Sequence, residues 1–164
     1  MYYKIYYSPI GKLYLVSDGV NLVGCYLESQ KYFPNKLDDW EENGNFEIFI
    51  NSIDWLTKYF NGENPDISNI KIKLEGTEFR LLIWEILKGI PYGETTTYKD
   101  IANEVAKKKK LASMSAQAVG NAVAHNPLLI FIPCHRVVAK NKSLVGFAAG
   151  IENKKILLDL EENN

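Results

Sequence analysis

Along the first thirty residues, apolar and polar positions alternate. Tyr3, Ile5 and Tyr7, then Leu13 and Leu15, then Leu22, Val23, Cys25, Tyr26 and Leu27 form short runs, broken by Ser8-Pro9-Ile10-Gly11 and Ser17-Asp18-Gly19. A period of two punctuated by turn residues predicts antiparallel hairpins, with Cys25 in a strand as a small core hydrophobe. The period then changes. Apolar side chains recur at 46, 49, 50, 53, 56, 59 and 60, a helical spacing that Asn61-Gly62 stops. Asn64-Pro65-Asp66 opens a linker, and a short alternating run, Ile70, Ile72 and Leu74, precedes Gly76. A boundary here divides the chain into domains 1–75 and 76–164.

The second half reads as mostly helical. Thr77 caps a helix from Glu78 to about Lys88, which buries Phe79, Leu82, Ile83, Ile86 and Leu87. After "GIPYGETTTY", Thr96 or Thr97 caps a helix from Tyr98 to about Ala106. Beyond Lys107 to Lys110, Ser113 or Ser115 caps a third, from Ala116 to about His125, stopped before Pro127. Two helices joined by a connection, the second rich in small residues, predict a helix-turn-helix with the lysines in its turn. The fold class is α+β: a small N-terminal antiparallel-sheet domain followed by a mostly helical C-terminal one. The run "IFIPCHRVVAKN" then carries an apolar strand into Pro133-Cys134-His135-Arg136.

Composition narrows the setting. With 46% hydrophobic and 24% charged residues, the chain is a globular protein rather than a disordered one. It has no apolar run of membrane-spanning length, and its N-terminus alternates at once instead of forming a signal sequence. A cytoplasmic location with no membrane partner is expected. Two cysteines make neither a disulfide framework nor a zinc ligand set, so no metal is expected. The net charge of −1 hides an asymmetry, because residues 98–142 hold 8 basic and 2 acidic side chains. Such a segment suits a polyanion on one face, although a lysine run alone is more often a solvated loop.

The chemistry centres on Cys134 and His135. A thiol of ordinary pKa is mostly protonated at neutral pH and needs a base or a positive neighbour to act as a nucleophile. Adjacent strand residues point to opposite faces, so His135 would reach the sulfur through a bridging water. The base in turn needs an orienting carboxylate. Glu152, Asp159, Glu161 and Glu162 all qualify, and spacing does not choose among them. Taken singly, a buried cysteine or histidine is more often structural than catalytic. Ala116, Gly120 and Ala124 form a small-residue stripe at helical spacing, which by itself more often marks close helix packing than DNA contact.

Together, "IPCHRVV", "PYGETTTYKDIA", "AVGNAVAHNP" and "LLDLE" closely resemble the O6-alkylguanine-DNA alkyltransferases, strongly over 77–161 and more loosely over "SPIGKLYLVSDGVNLVGCYLE". The resemblance implies an RNase H-like N-terminal domain and a cofactor-free, single-turnover DNA repair reaction. Cys134 would take the alkyl group from O6 of guanine, and from O4 of thymine, and keep it as a thioether. His135 would accept the thiol proton through water, and the family's orienting glutamate falls on Glu161. Asn126 would brace the turn holding the active-site segment, and Arg136 would be largely structural. The carbonyls of Val137 and Cys134 would face the guanine amine, and Tyr98 would bring its hydroxyl to the extruded base. Phe147 and Ala148 belong to the binding loop. Ser115, Ala116, Gln117, Gly120 and Asn121 would meet double-stranded DNA carrying O6-alkylguanine, with the protein a monomer.

The sequence departs from the family pattern at several points. Gln117 stands where the intercalating arginine is usual, and Asn121 where a glycine is. Phe147-Ala148-Ala149-Gly150 replaces tyrosine-serine-glycine-glycine, and the segment between Tyr98 and Gln117 is longer, bringing in Lys107 to Lys110. Two other readings differ in class. A lesion-recognition module without chemistry is opposed by Cys134, which such proteins replace. A cysteine hydrolase would need an oxyanion hole, of which the sequence gives no sign.

Overall fold

The computed structural model describes residues 1–164. The N-terminal sheet takes the order β3-β2-β1-β4, built from β1 (Tyr2–Ser8), β2 (Gly11–Ser17), β3 (Leu22–Leu27) and a two-residue β4 (Glu41–Glu42). The first three strands are antiparallel, as their alternation predicts, while β4 joins β1 in parallel. The turn at Ser17-Asp18-Gly19 is held by the Asp18 carboxylate, which accepts from the backbone N–H of Val20 and Asn21. Helix α1 (Glu47–Phe60) packs across this sheet through Phe49, Leu56 and Tyr59. The run Ile70–Leu74 meets β3 at a single bridge, Leu22 with Ile72, and goes no further as a strand.

Helix α2 (Glu78–Lys88) starts where Thr77 accepts from the Arg80 N–H. Thr97 caps α3 (Tyr98–Lys108), and Ser115 caps α4 (Ala116–Ala124). Helices α3 and α4 pack as the expected helix-turn-helix. The lysine run lies differently from the expectation. Lys107 and Lys108 complete the last turn of α3, Lys109 caps it, and Lys110 adopts a left-handed φ of 55°. Cations there lie against the negative end of the helix dipole, which lets the helix continue through them.

A further helix, α5 (Ile151–Glu162), was not delineated from the pattern of apolar positions. Its buried stripe is Lys154, Leu157 and Glu161, so two of its three core-facing residues are formally charged and hydropathy hides its period. Gly150 precedes it at a φ of +94°, a conformation that favours glycine.

One apolar core runs through the whole chain, joining Leu15 and Phe49 of the N-terminal part to Ile83, Val105, Val123 and Leu157. The apolar segment before Cys134 belongs to it, but not as the expected strand. Leu128 to Ile132 is a buried loop in which Ile132 N–H returns to the Leu128 carbonyl and Ile130 takes a left-handed φ of 73°. Its backbone is satisfied from outside. Cys25 N–H donates to the Pro127 carbonyl and Leu129 N–H to that of Cys25, so β3 props the segment from the N-terminal side. The run is apolar because it is enclosed on all sides, which requires no strand periodicity.

Candidate active site

Pro133 leads into a 3-10 turn, Cys134–Arg136, followed by a short strand β6 (Val137–Val138) that pairs in parallel with β5 (Thr96–Thr97). The expected strand geometry at Cys134-His135 is therefore replaced by a turn of three residues, in which successive side chains diverge by about 120°. His135 directs its Nε2 toward Tyr59 of α1 and Glu161 at the end of the chain.

Asn126 builds the platform beneath. Its carbonyl accepts from the Leu128 N–H at 2.9 Å, and its amide donates to the Ile132 carbonyl at 2.8 Å. Cys134 is only 5% exposed. Burial pushes its thiol up to about 11, opposed by the Asn126 amide, the Lys154 charge and the backbone N–H groups of Cys134 and His135. At rest this cysteine is a protonated thiol surrounded by groups that favour its anion.

The state of the His135 ring is set by what surrounds it. His135 is fully buried, and its Nε2 meets a carboxylate oxygen of Glu161. Burial lowers the imidazole pKa, and the Glu161 charge offsets this only in part, so the ring is neutral at physiological pH. A carboxylate is an acceptor only, which places the ring proton on Nε2 and leaves Nδ1 with a free lone pair. That Nδ1 is buried and has no hydrogen-bond partner among the protein atoms. The ring is thus fixed in the tautomer a proton acceptor requires.

Glu161 collects four donors. Tyr59 Oη donates at 2.6 Å and His135 Nε2 shares the same oxygen, while Arg136 Nε at 2.7 Å and the Gly93 N–H at 3.1 Å reach the other. Burial alone would raise the carboxyl pKa. His135, Arg136 and Tyr59 outweigh it and hold the group at about 2. Arg136 also donates to the Ile90 carbonyl at 2.7 Å and lies over the Tyr92 ring. Among the four downstream carboxylates, Glu161 is the one at the histidine.

A cleft of about 860 Å³ opens between α4 and the loop 145–150, and its lining includes Tyr98, whose hydroxyl lies within electrostatic reach of Cys134. Ala116, Gln117, Gly120 and Ala124 line one wall, with Tyr98, Phe147 and Ala148 beside them. The small stripe of α4 therefore faces the cleft. Core packing falls to Val119, Ala122 and Val123 on the opposite side, where Trp84 Nε1 donates to the Ala122 carbonyl. Gly120 lies under the Tyr98 ring, where an added Cβ would meet ring carbons at 3.7 Å. The Tyr98 hydroxyl donates to the loop carbonyls of Val145 and Gly146, at 3.1 and 3.3 Å. Burial, then the Cys134 charge, raises its pKa to about 12. Asn121 is exposed, and its carbonyl accepts from His125 Nδ1. Ser115 caps α4 at the same end as Gln117, and Val137 is buried beside the turn.

Lys154 and Tyr59 escaped the sequence reading. Lys154 has no exposed surface. Its ammonium donates to the Val145 carbonyl at 3.0 Å and lies within 6 Å of the Tyr98 and Phe147 rings. Burial lowers it to about 8, while the Cys134 charge acts in the opposite sense. A lone lysine in an exposed-looking helix gives no sequence signal, whereas Tyr59 fell within the apolar period of α1 and read as core.

A buried thiol next in sequence to a histidine–carboxylate pair, with a helix-turn-helix whose second helix lines a nearby cleft, is the arrangement of a DNA-binding protein that offers a thiol for chemistry. The comparisons with known proteins agree. Residues 1–74 match the 6-O-methylguanine DNA methyltransferase ribonuclease-like domain, and residues 78–163 match the DNA binding domain of the same family. The methylated-DNA–protein-cysteine methyltransferase of Haemophilus influenzae is 40% identical over 99% of this chain and 87% of its own. That of Methanosarcina acetivorans is 40% identical over 98% of each. The crystal structure of Mycobacterium tuberculosis OGT in complex with DNA superposes with a TM-score of 0.86, at 34% identity over 99% of this chain and 94% of that one. The chain belongs to the 6-O-methylguanine DNA methyltransferase family.

Proposed function

We propose that this protein repairs DNA by moving an alkyl group from O6 of guanine to the sulfur of Cys134, once per molecule. The observation that carries the reading is the fixed tautomer of His135, with Nε2–H given to Glu161 and a bare, buried Nδ1. The thiol proton passes to Nδ1 through a water, and the sulfur attacks the alkyl carbon. The S–C bond forms as the C–O6 bond breaks, and the electron pair goes to the guanine oxygen. Protonation of the released base closes the step, with the Tyr98 hydroxyl the donor nearest the cleft once it leaves the loop carbonyls. Lys154 stabilises the transient thiolate at short range in a low-dielectric site.

The target base is extruded from the duplex into the cleft, at a cost of a few kcal/mol. The small stripe of α4 lets its backbone approach the minor groove, with Ser115, Ala116, Gly120 and Asn121 along the contact. Gln117 hydrogen-bonds the unpaired partner base, and Phe147 stacks on the lesion. The N–H of Ala148 meets the guanine, and the carbonyls of Cys134 and Val137 face its amine. Asn126 braces the turn, and residues 1–75 support the reacting domain 76–164. The protein acts as a monomer, and the cytoplasm is its proposed location.

Intact mass after mixing with duplex DNA carrying O6-methylguanine tests the reading. We expect a stoichiometric gain of one methyl group, absent in Cys134→Ala. Selective lesion binding without a gain would replace the reading with a recognition module.

A further inference from the structure

The turn after β3 reaches across to the cleft. It is a rigid segment: Gln30 is buried, its side-chain oxygen accepts from the Leu27 N–H at 2.7 Å, and its own N–H returns to the Leu27 carbonyl. From this base the next two residues go to opposite walls of the cleft. Lys31 N–H donates to the carbonyl of Ala148 at 2.9 Å, on the loop wall. The Tyr32 ring stacks on His125, with centroids 3.9 Å apart and planes inclined by 24°, at the end of α4. His125 is in turn tied into α4 by its Nδ1 bond to the Asn121 carbonyl.

Two features of Tyr32 call for an explanation. Its φ is +64°, a left-handed conformation that costs a non-glycine residue about 1–2 kcal/mol and persists only where the surroundings impose it. The residue is also 44% exposed and lines the cleft, with the Lys31 ammonium 5.0 Å above the ring. A strained, half-exposed aromatic contributes little to a core. It is placed to hold two surfaces at a fixed separation.

We propose that Lys31 and Tyr32 form a clasp across the cleft, and that Tyr32, by holding α4 at a set distance from the 145–148 loop, determines how large an alkyl group reaches Cys134. The N-terminal domain thereby takes part in substrate selection. The inference rests on the alkyl-transfer reading for its substrate, but its mechanical part does not.

Tyr32→Gly removes the ring while leaving the left-handed backbone free of strain, and Tyr32→Phe keeps the ring. Single-turnover transfer is compared for duplexes carrying O6-methylguanine and O6-benzylguanine. The benzyl-to-methyl rate ratio is expected to rise at least five-fold in Tyr32→Gly and to stay at the wild-type value in Tyr32→Phe. An unchanged ratio in Tyr32→Gly, including a parallel fall of both rates, overturns the proposal. Amide hydrogen exchange of the DNA-free protein supplies the second measurement. Residues 121–126 and 145–149 are expected to exchange faster together in Tyr32→Gly. Unchanged exchange at either wall overturns the clasp whether or not any transfer occurs. Failure of the wild-type protein to transfer methyl would refute the alkyl-transfer reading instead, and exchange would still decide the clasp.

Discussion

Replacing Glu161 by glutamine tests the site most directly. The carboxylate accepts from His135 and Tyr59 at one oxygen and from Arg136 and the Gly93 N–H at the other. An amide keeps one acceptor oxygen and turns an NH2 group toward two of those four donors. Hydrogen bonds to a charged group contribute about 1.5–3 kcal/mol each, and removing one member of a buried ion pair costs about 3–5 kcal/mol. Arg136, with 11% of its side chain exposed, is the partner left behind. A loss of about 3–5 kcal/mol corresponds to roughly 6–20 °C in Tm for a chain of this size. The chemical effect is separate. An amide NH2 facing Nε2 stabilises the opposite tautomer, with the proton on Nδ1, and so removes the acceptor for the thiol proton. Losing a general base costs about 10²–10⁴ in rate. Thermal melting by circular dichroism reads the first effect, and single-turnover transfer, well below Tm with saturating O6-methylguanine DNA, reads the second. A Tm within 2 °C of wild type together with a rate within three-fold would refute the reasoning.

Three further outcomes are expected. Glu161 is held at about 2 in the fold against an ordinary 4.5, and burial lowers His135 below 6.5, so the unfolded chain binds more protons below neutrality. Stability is therefore fully present above about pH 6.5 and falls as pH drops toward 2; a urea midpoint as high at pH 4 as at pH 7 would contradict this. Lys154→Met keeps most of the buried volume and removes the cation near Cys134, so the transfer rate should fall at least ten-fold at pH 7 and recover in part as pH rises and thiolate forms without it; a rate matching wild type across the pH range would exclude the assigned role. Neutralising Lys107 to Lys110 as glutamines should reduce the slope of log affinity against log salt by at least about one, and an unchanged slope would return these residues to a role in completing α3 alone.

How much of this was legible in the sequence depended on whether a residue's environment left a periodic trace. The hairpins, α1, α2 and α4 follow from alternation or helical spacing closed by Thr77, Ser115 and Asn61-Gly62, because in each case one face is apolar and the other wet. Leu128 to Ile132 misled, since a segment enclosed on all sides is uniformly apolar in any conformation. Helix α5 left a weak trace because its inward face carries Lys154 and Glu161, whose burial makes sense only with Val145, Tyr59, Arg136 and Gly93 around them. The carboxylate partner of His135 stayed open on spacing alone for the same reason: the choice depends on contacts that span up to 102 residues of chain.

The buried thiol also has a consequence for economy of use. A cysteine with an ordinary pKa near 8.5 is a few per cent thiolate at neutral pH and reacts with any small electrophile that reaches it. With its thiol raised to about 11 by burial and 5% of its surface exposed, Cys134 is far less ionised at neutral pH than an ordinary cysteine. A nucleophile that is consumed by its first reaction gains from being inert toward everything but its target. Here that inertness comes from the fold itself. Unfolding would give the cysteine an ordinary reactivity, so in a Cys25→Ser background iodoacetamide should label the denatured chain faster than the native one.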